Sequence, residues 1–275
     1  MMKASFRTVG RRIPFVRYLA RQFRSNVDIY RDKIESDEHN NVVLSNDGIP
    51  IPPIRLRDMV RRGAIMAEDF ILEGRQVHGV VVQVAAETGE PIVPSMQILE
   101  FGVGCGRVAR HFLAAGAENF IGTDVDAELI DWCTTNLPGT DTVQFFTNGY
   151  EPPIPVTASS QDLVYAISVF THMDEQNQKS WANELGRIVR PDGRLLVSFL
   201  ERALPDLPGG VEARERIDPE YVRTWFGKDG APSVYFSTYN TKEYLETLFG
   251  EHFEPIAYRP KIVRKHQSIL VLRKT

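Results

Sequence analysis

Residues 98–107 read Ile-Leu-Glu-Phe-Gly-Val-Gly-Cys-Gly-Arg, an apolar strand that breaks into a glycine-rich turn and then opens a helix. Glycines in such a turn let a ligand approach the backbone closely, and a helix start offers N–H groups to an anion or a nucleotide. A dinucleotide fingerprint needs a third glycine at the sixth position counted from Gly102, but Arg107 stands there. The pattern is instead E-x-G-x-G-x-G, with Glu100 two residues before Gly102 and further glycines at Gly104 and Gly106. A second apolar run, Phe120-Ile121-Gly122-Thr123, ends in Asp124, 18 residues after Gly106. A carboxylate at a strand end can accept both hydroxyls of a ribose. Alone, Asp124 fits a cap for the helix over 127–136 equally well; together with the turn upstream it reads as a ribose ligand.

These residues have to be held by an alternation of short and long elements. Met96–Phe101, Asn119–Thr123, Val143–Phe146, Leu163–Ser168 and Arg194–Phe199 are β-branched or apolar runs of strand length, and Arg107–Ala115, Ala127–Asn136 and Asp174–Val189 are amphipathic at helical spacing. Strands separated by helical crossovers predict an α/β fold, a doubly wound, mostly parallel sheet covered on both faces. Two final strands, Phe253–Tyr258 and Ser268–Leu272, are joined by too short a connection for a crossover and are expected to pair antiparallel. Between them and the fifth strand lies an insert, 201–238, rich in aromatic residues, with a short helix expected around Asp218–Phe226 from the Asp218-Pro219 start.

Ahead of the sheet, helical periodicity over Ile54 to about Thr88 predicts a helical module spanning 54–95, with a break at Gly63 and strain at Gly74. Residues 36–53 are polar, then proline-rich, and read as a linker. The net charge of −4 hides a division: residues 1–26 carry seven cations and no acid, which leaves −11 on the rest of the chain. Within that tail Ile13, Val16, Leu19, Ala20 and Phe23 recur at helical spacing among arginines, so 1–35 is expected to hold a basic amphipathic helix. Such a helix fits attachment to an anionic membrane surface or to a protein partner, and equally a solvated or internally packed helix. The acidic body argues against a nucleic-acid partner. The 43% apolar content suffices for a large core, and no apolar run approaches the roughly eighteen residues of a membrane span. Two cysteines, with no CxxC pair, point to a reducing, cytoplasmic setting.

On the Glu100–Gly106 turn and Asp124, the segment from Gln97 to the end resembles the class I S-adenosylmethionine-dependent methyltransferases. More narrowly it is similar to a bacterial subgroup, whose elements stand here as Phe101–Arg107, Asp124-Val125-Asp126, Pro152-Pro153-Ile154-Pro155, Ser168-Val169-Phe170-Thr171-His172-Met173, Gly186–Gly193 and Gln267–Arg273. The resemblance implies a seven-stranded Rossmann-like sheet over 96–275 with a terminal antiparallel hairpin, and S-adenosylmethionine as cofactor. It implies that Gly102, Gly104 and Gly106 line the methionine part, that Glu100 lies near its ammonium, that Asp124 holds the ribose and that Val125 flanks the adenine. The acid that usually meets the adenine amine is replaced here by Asn148, whose amide can accept the same bond.

Methyl transfer from a sulfonium needs mainly alignment in a dry pocket, plus a base when the acceptor is a hydroxyl. His172, just past the fourth strand, is the best-placed titratable group for that base; capping or packing against the following helix competes with this role. The amine-methylating pattern [DN]-P-P-[FY] is missing after the fourth strand, and no histidine or acid spacing suggests a metal. The expected acceptor is a hydroxyl of a sugar, a glycan or a small metabolite. Two other classes compete: a non-catalytic S-adenosylmethionine-binding or scaffold protein, and an NAD-linked oxidoreductase or epimerase, which Arg107 and the lack of a Tyr-x-x-x-Lys pair disfavour.

Overall fold

The computed structural model describes residues 45, 48–60, 66–201, 221–225 and 236–275. The expected basic helix of 1–35, most of the linker, Gly63 and most of the insert lie outside the described residues. The chain divides into two compact units, at Leu72/Glu73. In the first, Gly48 at φ +75° closes a turn by donating to the Ser45 carbonyl (2.9 Å). Helix α1 (Ile54–Val60) follows, with Arg57 Nη1 donating back to the Pro52 carbonyl (2.6 Å). Helix α2 (Ala67–Glu87) crosses the division between the units.

The second unit is one sheet of nine strands flanked by helices. In chain order it runs β1 (Gln97–Phe101), α3 (Ala109–Ala114), β2 (Asn119–Asp124), α4 (Ala127–Asn136), β3 (Val143–Thr147), β4 (Gln161–Ala166), a 3-10 turn at Phe170–His172, α5 (Glu175–Ile188) and β5 (Val189–Glu201). It ends in β6 (Tyr221–Trp225), β7 (Phe236–Asn240), α6 (Lys242–Phe249), β8 (Phe253–Val263) and β9 (Gln267–Lys274). Strands β3, β2, β1, β4 and β5 lie side by side and parallel. Strand β9 runs antiparallel along β5 from Arg194 to Leu200 and antiparallel to β8 beyond it, so the expected terminal hairpin is present.

One sequence expectation is overturned. Residues 221–225 are not helical but form β6, paired antiparallel with β7 from Tyr221–Asn240 to Trp225–Phe236. The Tyr-Val-Arg-Thr-Trp composition favours a strand, and a pairing partner 11 residues further on overrides the Asp-Pro helix start signal. At Leu200 and Glu201 strand β5 leaves β9 and takes β7 as its parallel neighbour.

The central strands are buried along their whole inner length, which is why they read as apolar runs without alternation. Leu195, Leu196, Val197 and Phe199 on β5 and Ile269 to Leu272 on β9 are fully buried. One face carries Trp181, Leu185 and Ile188 of α5 with Leu245 and Phe249 of α6. On α2, His78 sets its ring edge-on to Phe112 of α3 (centroids 4.4 Å apart), and Phe112 in turn stacks on Tyr165 (5.3 Å).

Gly74 sits where α2 meets the start of α3. A Cβ there would lie 2.0 Å from the Arg107 carbonyl oxygen and 3.0 Å from His111 Nε2, whereas one at Gly79, on the same helix, would meet nothing within 4 Å. Gly74→Ala is therefore expected to destabilise the protein by about 1–3 kcal/mol through forced displacement of backbone. Gly79→Ala is expected to stabilise it by roughly 0.5–1 kcal/mol, the helix-propensity gain. Urea unfolding midpoints of the two variants check the opposite signs.

Candidate active site

The glycine-rich turn hangs from the end of β2. Gly102 and Val103 both donate to the Thr123 carbonyl (2.8 and 3.0 Å), and Gly104 donates to Asp124 Oδ2 (2.8 Å). The turn's first N–H groups are thus used inside the protein, contrary to the sequence expectation that they are presented to a ligand. Gly102 needs its glycine twice: its φ is +80°, and a Cβ would lie 2.3 Å from Val169 Cγ2.

Asp124 is only partly buried. Its carboxylate takes the Gly104 N–H and, through Oδ1, the Asp126 N–H (3.1 Å). The cap of α4 is Asp126, which accepts from Glu128 and Leu129 (2.9 and 3.3 Å), so the capping alternative for Asp124 falls away. A carboxylate offers about four lone-pair sites, and Asp124 keeps acceptor capacity for hydroxyls. Burial pushes its pKa up, while the bonds from Asp126 and Gly104 pull it down. Val125, beside it, is 38% exposed, large and apolar at a strand end.

Glu100 has a different setting. It is 3% exposed, accepts from the Tyr165 hydroxyl at 2.9 Å and from the Ala109 N–H at the start of α3, and faces Arg107. Burial pushes its pKa up to about 8, against the pull of Tyr165 and Arg107. Arg107, brought down to about 10 by burial and by Arg264, stays charged and reaches Glu73 (3.5 Å), which also binds Arg264 (2.5 Å). Asn148 is buried; its Oδ1 accepts from the Thr123 hydroxyl (2.5 Å) and its Nδ2 donates to the Gly149 carbonyl (2.7 Å). The amide that sequence assigns to adenine is thereby already engaged on both ends.

The segment after β4 closes on the turn through Val169. Its second residue, Ser168, has φ +64°; the 3-10 turn of Phe170–His172 follows, with the His172 N–H on the Val169 carbonyl (2.9 Å). His172 is exposed, and the cap of α5 is Asp174, whose side chain accepts from Asn177 (2.8 Å). The insert's returning strand supports this segment from outside: Thr238 donates to the Met173 carbonyl (2.8 Å), and Gln178, within reach of Asn240, donates to the Phe170 carbonyl (2.8 Å).

Residues 98–193 match a family model described as a methyltransferase domain. Residues 98–193 thus carry a methyltransferase domain, and the described residues have the class I, Rossmann-like methyltransferase fold. Among similar solved structures is the magnesium protoporphyrin IX methyltransferase of Synechocystis with bound SAH (16% identity, TM-score 0.55, covering 80% of this chain and 93% of that one). A glycopeptide N-methyltransferase complexed with S-adenosyl-L-homocysteine gives 15% identity and a TM-score of 0.55 over 74% and 90% of the two chains. A S-adenosylmethionine-dependent methyltransferase of Methanosarcina mazei gives 17% and 0.51 over 66% and 94%. At these identities the likeness is one of fold.

Within this methyltransferase domain the structure brings Gly102, Gly104, Asp124 and Val125 to the carboxyl ends of β1 and β2, with the His172 segment against Gly102. Glu100 and Asn148 are close by but buried. Sequence reasoning passed over Tyr150, which follows β3 and is 65% exposed, and Thr123, whose hydroxyl holds Asn148. An exposed aromatic residue three positions past the end of β3, and two past the candidate site residue Asn148, is the signal that could have flagged Tyr150.

The raised Glu100 pKa fixes the sign of a pH effect. Between its ordinary value of 4.5 and about 8 the native state keeps the proton that the unfolded state has lost, so stability falls as pH rises through that window. Glu100→Gln, which mimics the protonated form, should gain on the wild type by up to about 1.4 kcal/mol per pH unit across the window and level off above it. Unfolding free energies of both proteins at several pH values provide the check; a constant difference would mean that Glu100 is ionised in the native protein throughout.

Proposed function

We propose that this protein transfers a methyl group from S-adenosylmethionine to a hydroxyl on a sugar, a glycan or a small metabolite, with His172 as general base. The observation that carries the proposal is the contact of Val169 with Gly102, which sets the segment ending in His172 against the glycine-rich turn. The residues fit the cofactor: Asp124 has acceptor capacity for ribose hydroxyls, and exposed Val125 can cover an adenine face.

Bound S-adenosylmethionine supplies an electrophilic methyl group whose leaving group departs neutral. Asp124 and the glycine turn orient it. Glu100 acts from within the fold, since its carboxyl reaches Tyr165 and the start of α3. His172 receives the proton of the acceptor hydroxyl.

Calorimetry with SAH tests the cofactor site: the wild type should bind, and Asp124→Ala should bind roughly 10–100-fold more weakly through loss of charge-assisted hydrogen bonds. Equal binding by both proteins would overturn the assignment. With a labelled methyl donor and a panel of glycans and phenols, His172→Ala should lower turnover on the accepted substrate by about 10²–10⁴-fold. Full turnover by that variant would remove His172 from the mechanism.

A further inference from the structure

Strands β5 and β9 each send one polar side chain to Ser168 at the start of the His172 segment, and the three residues close a ring. The Ser168 N–H donates to Ser198 Oγ (2.7 Å), the Ser198 hydroxyl donates to Gln267 Oε1 (2.6 Å), and Gln267 Nε2 donates back to Ser168 Oγ (2.8 Å). Ser198 is fully buried between Val197 and Phe199 on β5, and Gln267 opens β9 opposite Leu200. A hydroxyl in such a core is retained only if its bonds are made, and a closed ring strengthens each bond in it.

The ring ends on a strained residue. Ser168 holds φ +64°, a backbone state that glycine reaches freely and other residues reach only when their surroundings impose it. From there the path to the candidate base is short and bonded throughout. Thr171 Oγ1 donates to the Ser168 carbonyl (2.9 Å), the His172 N–H donates to the Val169 carbonyl (2.9 Å), and Val169 rests on Gly102.

We infer that Gln267 is a positioning residue for methyl transfer: through Ser168 and Ser198 it fixes the turn on which His172 is carried, without itself touching cofactor or acceptor. The inference rests on the assignment of His172 as base. Alignment errors of about 1 Å at a reacting centre lower rates by about 10²-fold, so a bonded ring at the root of a four-residue path is where such precision is set.

The test uses the full chain, free of ligand, with ¹³C at histidine Cε1. In Gln267→Leu, which keeps bulk but neither donates nor accepts, the His172 signal should move or broaden while those of His78 and His111, on the α2 and α3 helices, stay in place. Gln267→Glu can accept from both serine hydroxyls and should keep the His172 signal near its wild-type position. If Gln267→Leu fails to fold, Ser168→Ala removes one edge of the ring and should move the His172 signal alone. A His172 signal that superimposes on the wild type in the variant that folds, or a displacement shared by all three histidines, would overturn the inference. Calorimetry with SAH on the same samples answers separately for the cofactor: no binding by the wild type sinks that assignment, while binding within about threefold of wild type in Gln267→Leu confirms that the ring acts on the base and not on the cofactor pocket.

Discussion

The architecture depends on how closely other segments press on residues 102–107 where side chains are missing. Val169 takes the space of a Gly102 side chain, Leu137 and Cys133 crowd Gly106, and Phe145 lies against Gly122 on the neighbouring strand. Gly74 lets the Arg107 carbonyl enter the surface of α2. Three segments from different parts of the chain therefore meet the turn, and a fourth meets the strand beside it, at distances that an added Cβ would prevent. Close packing of this kind transmits small displacements without absorbing them, so the turn, the Asp124 carboxylate that accepts from Gly104 and the loop after β4 behave as one piece.

Charge is handled inside the same piece. Glu73 on α2 holds Arg107 at the end of the turn and Arg264 at the β8–β9 connection, two cations from distant parts of the chain on one carboxylate. Glu100 lies close to Arg107 yet is driven toward its neutral form by burial, since one nearby cation does not offset the loss of water. The acidic surface of the body thus covers an interior whose ionic contacts are few and specific.

Much of this was legible in the sequence because it is written in local patterns. The E-x-G-x-G-x-G turn, Asp124 at its strand end, the alternation of strands and helices and the short final connection each identified their element, with boundaries within a few residues. The limits were non-local. Residues 221–225 have a partner strand that only the fold brings beside them. Spacing cannot reveal that the amide of Asn148 is held by Thr123, or that Asp126 takes the capping role Asp124 could have filled. Gln267 could be seen as part of a pattern, but the ring that gives it meaning joins residues 69 and 99 positions apart in the chain.

The change of neighbours along β5 couples the β6–β7 hairpin to the loop after β4. Up to Leu200 its partner is β9, and only the ladder pairs Leu200–Tyr239 and Glu201–Asn240 tie in the β6–β7 hairpin. Among the described residues the sheet meets this hairpin through its returning strand, whose Thr238 and Asn240 also reach the Met173 carbonyl and Gln178 beside the loop after β4. A slip of that strand along β5 would therefore be felt at the loop as well as in the ladder.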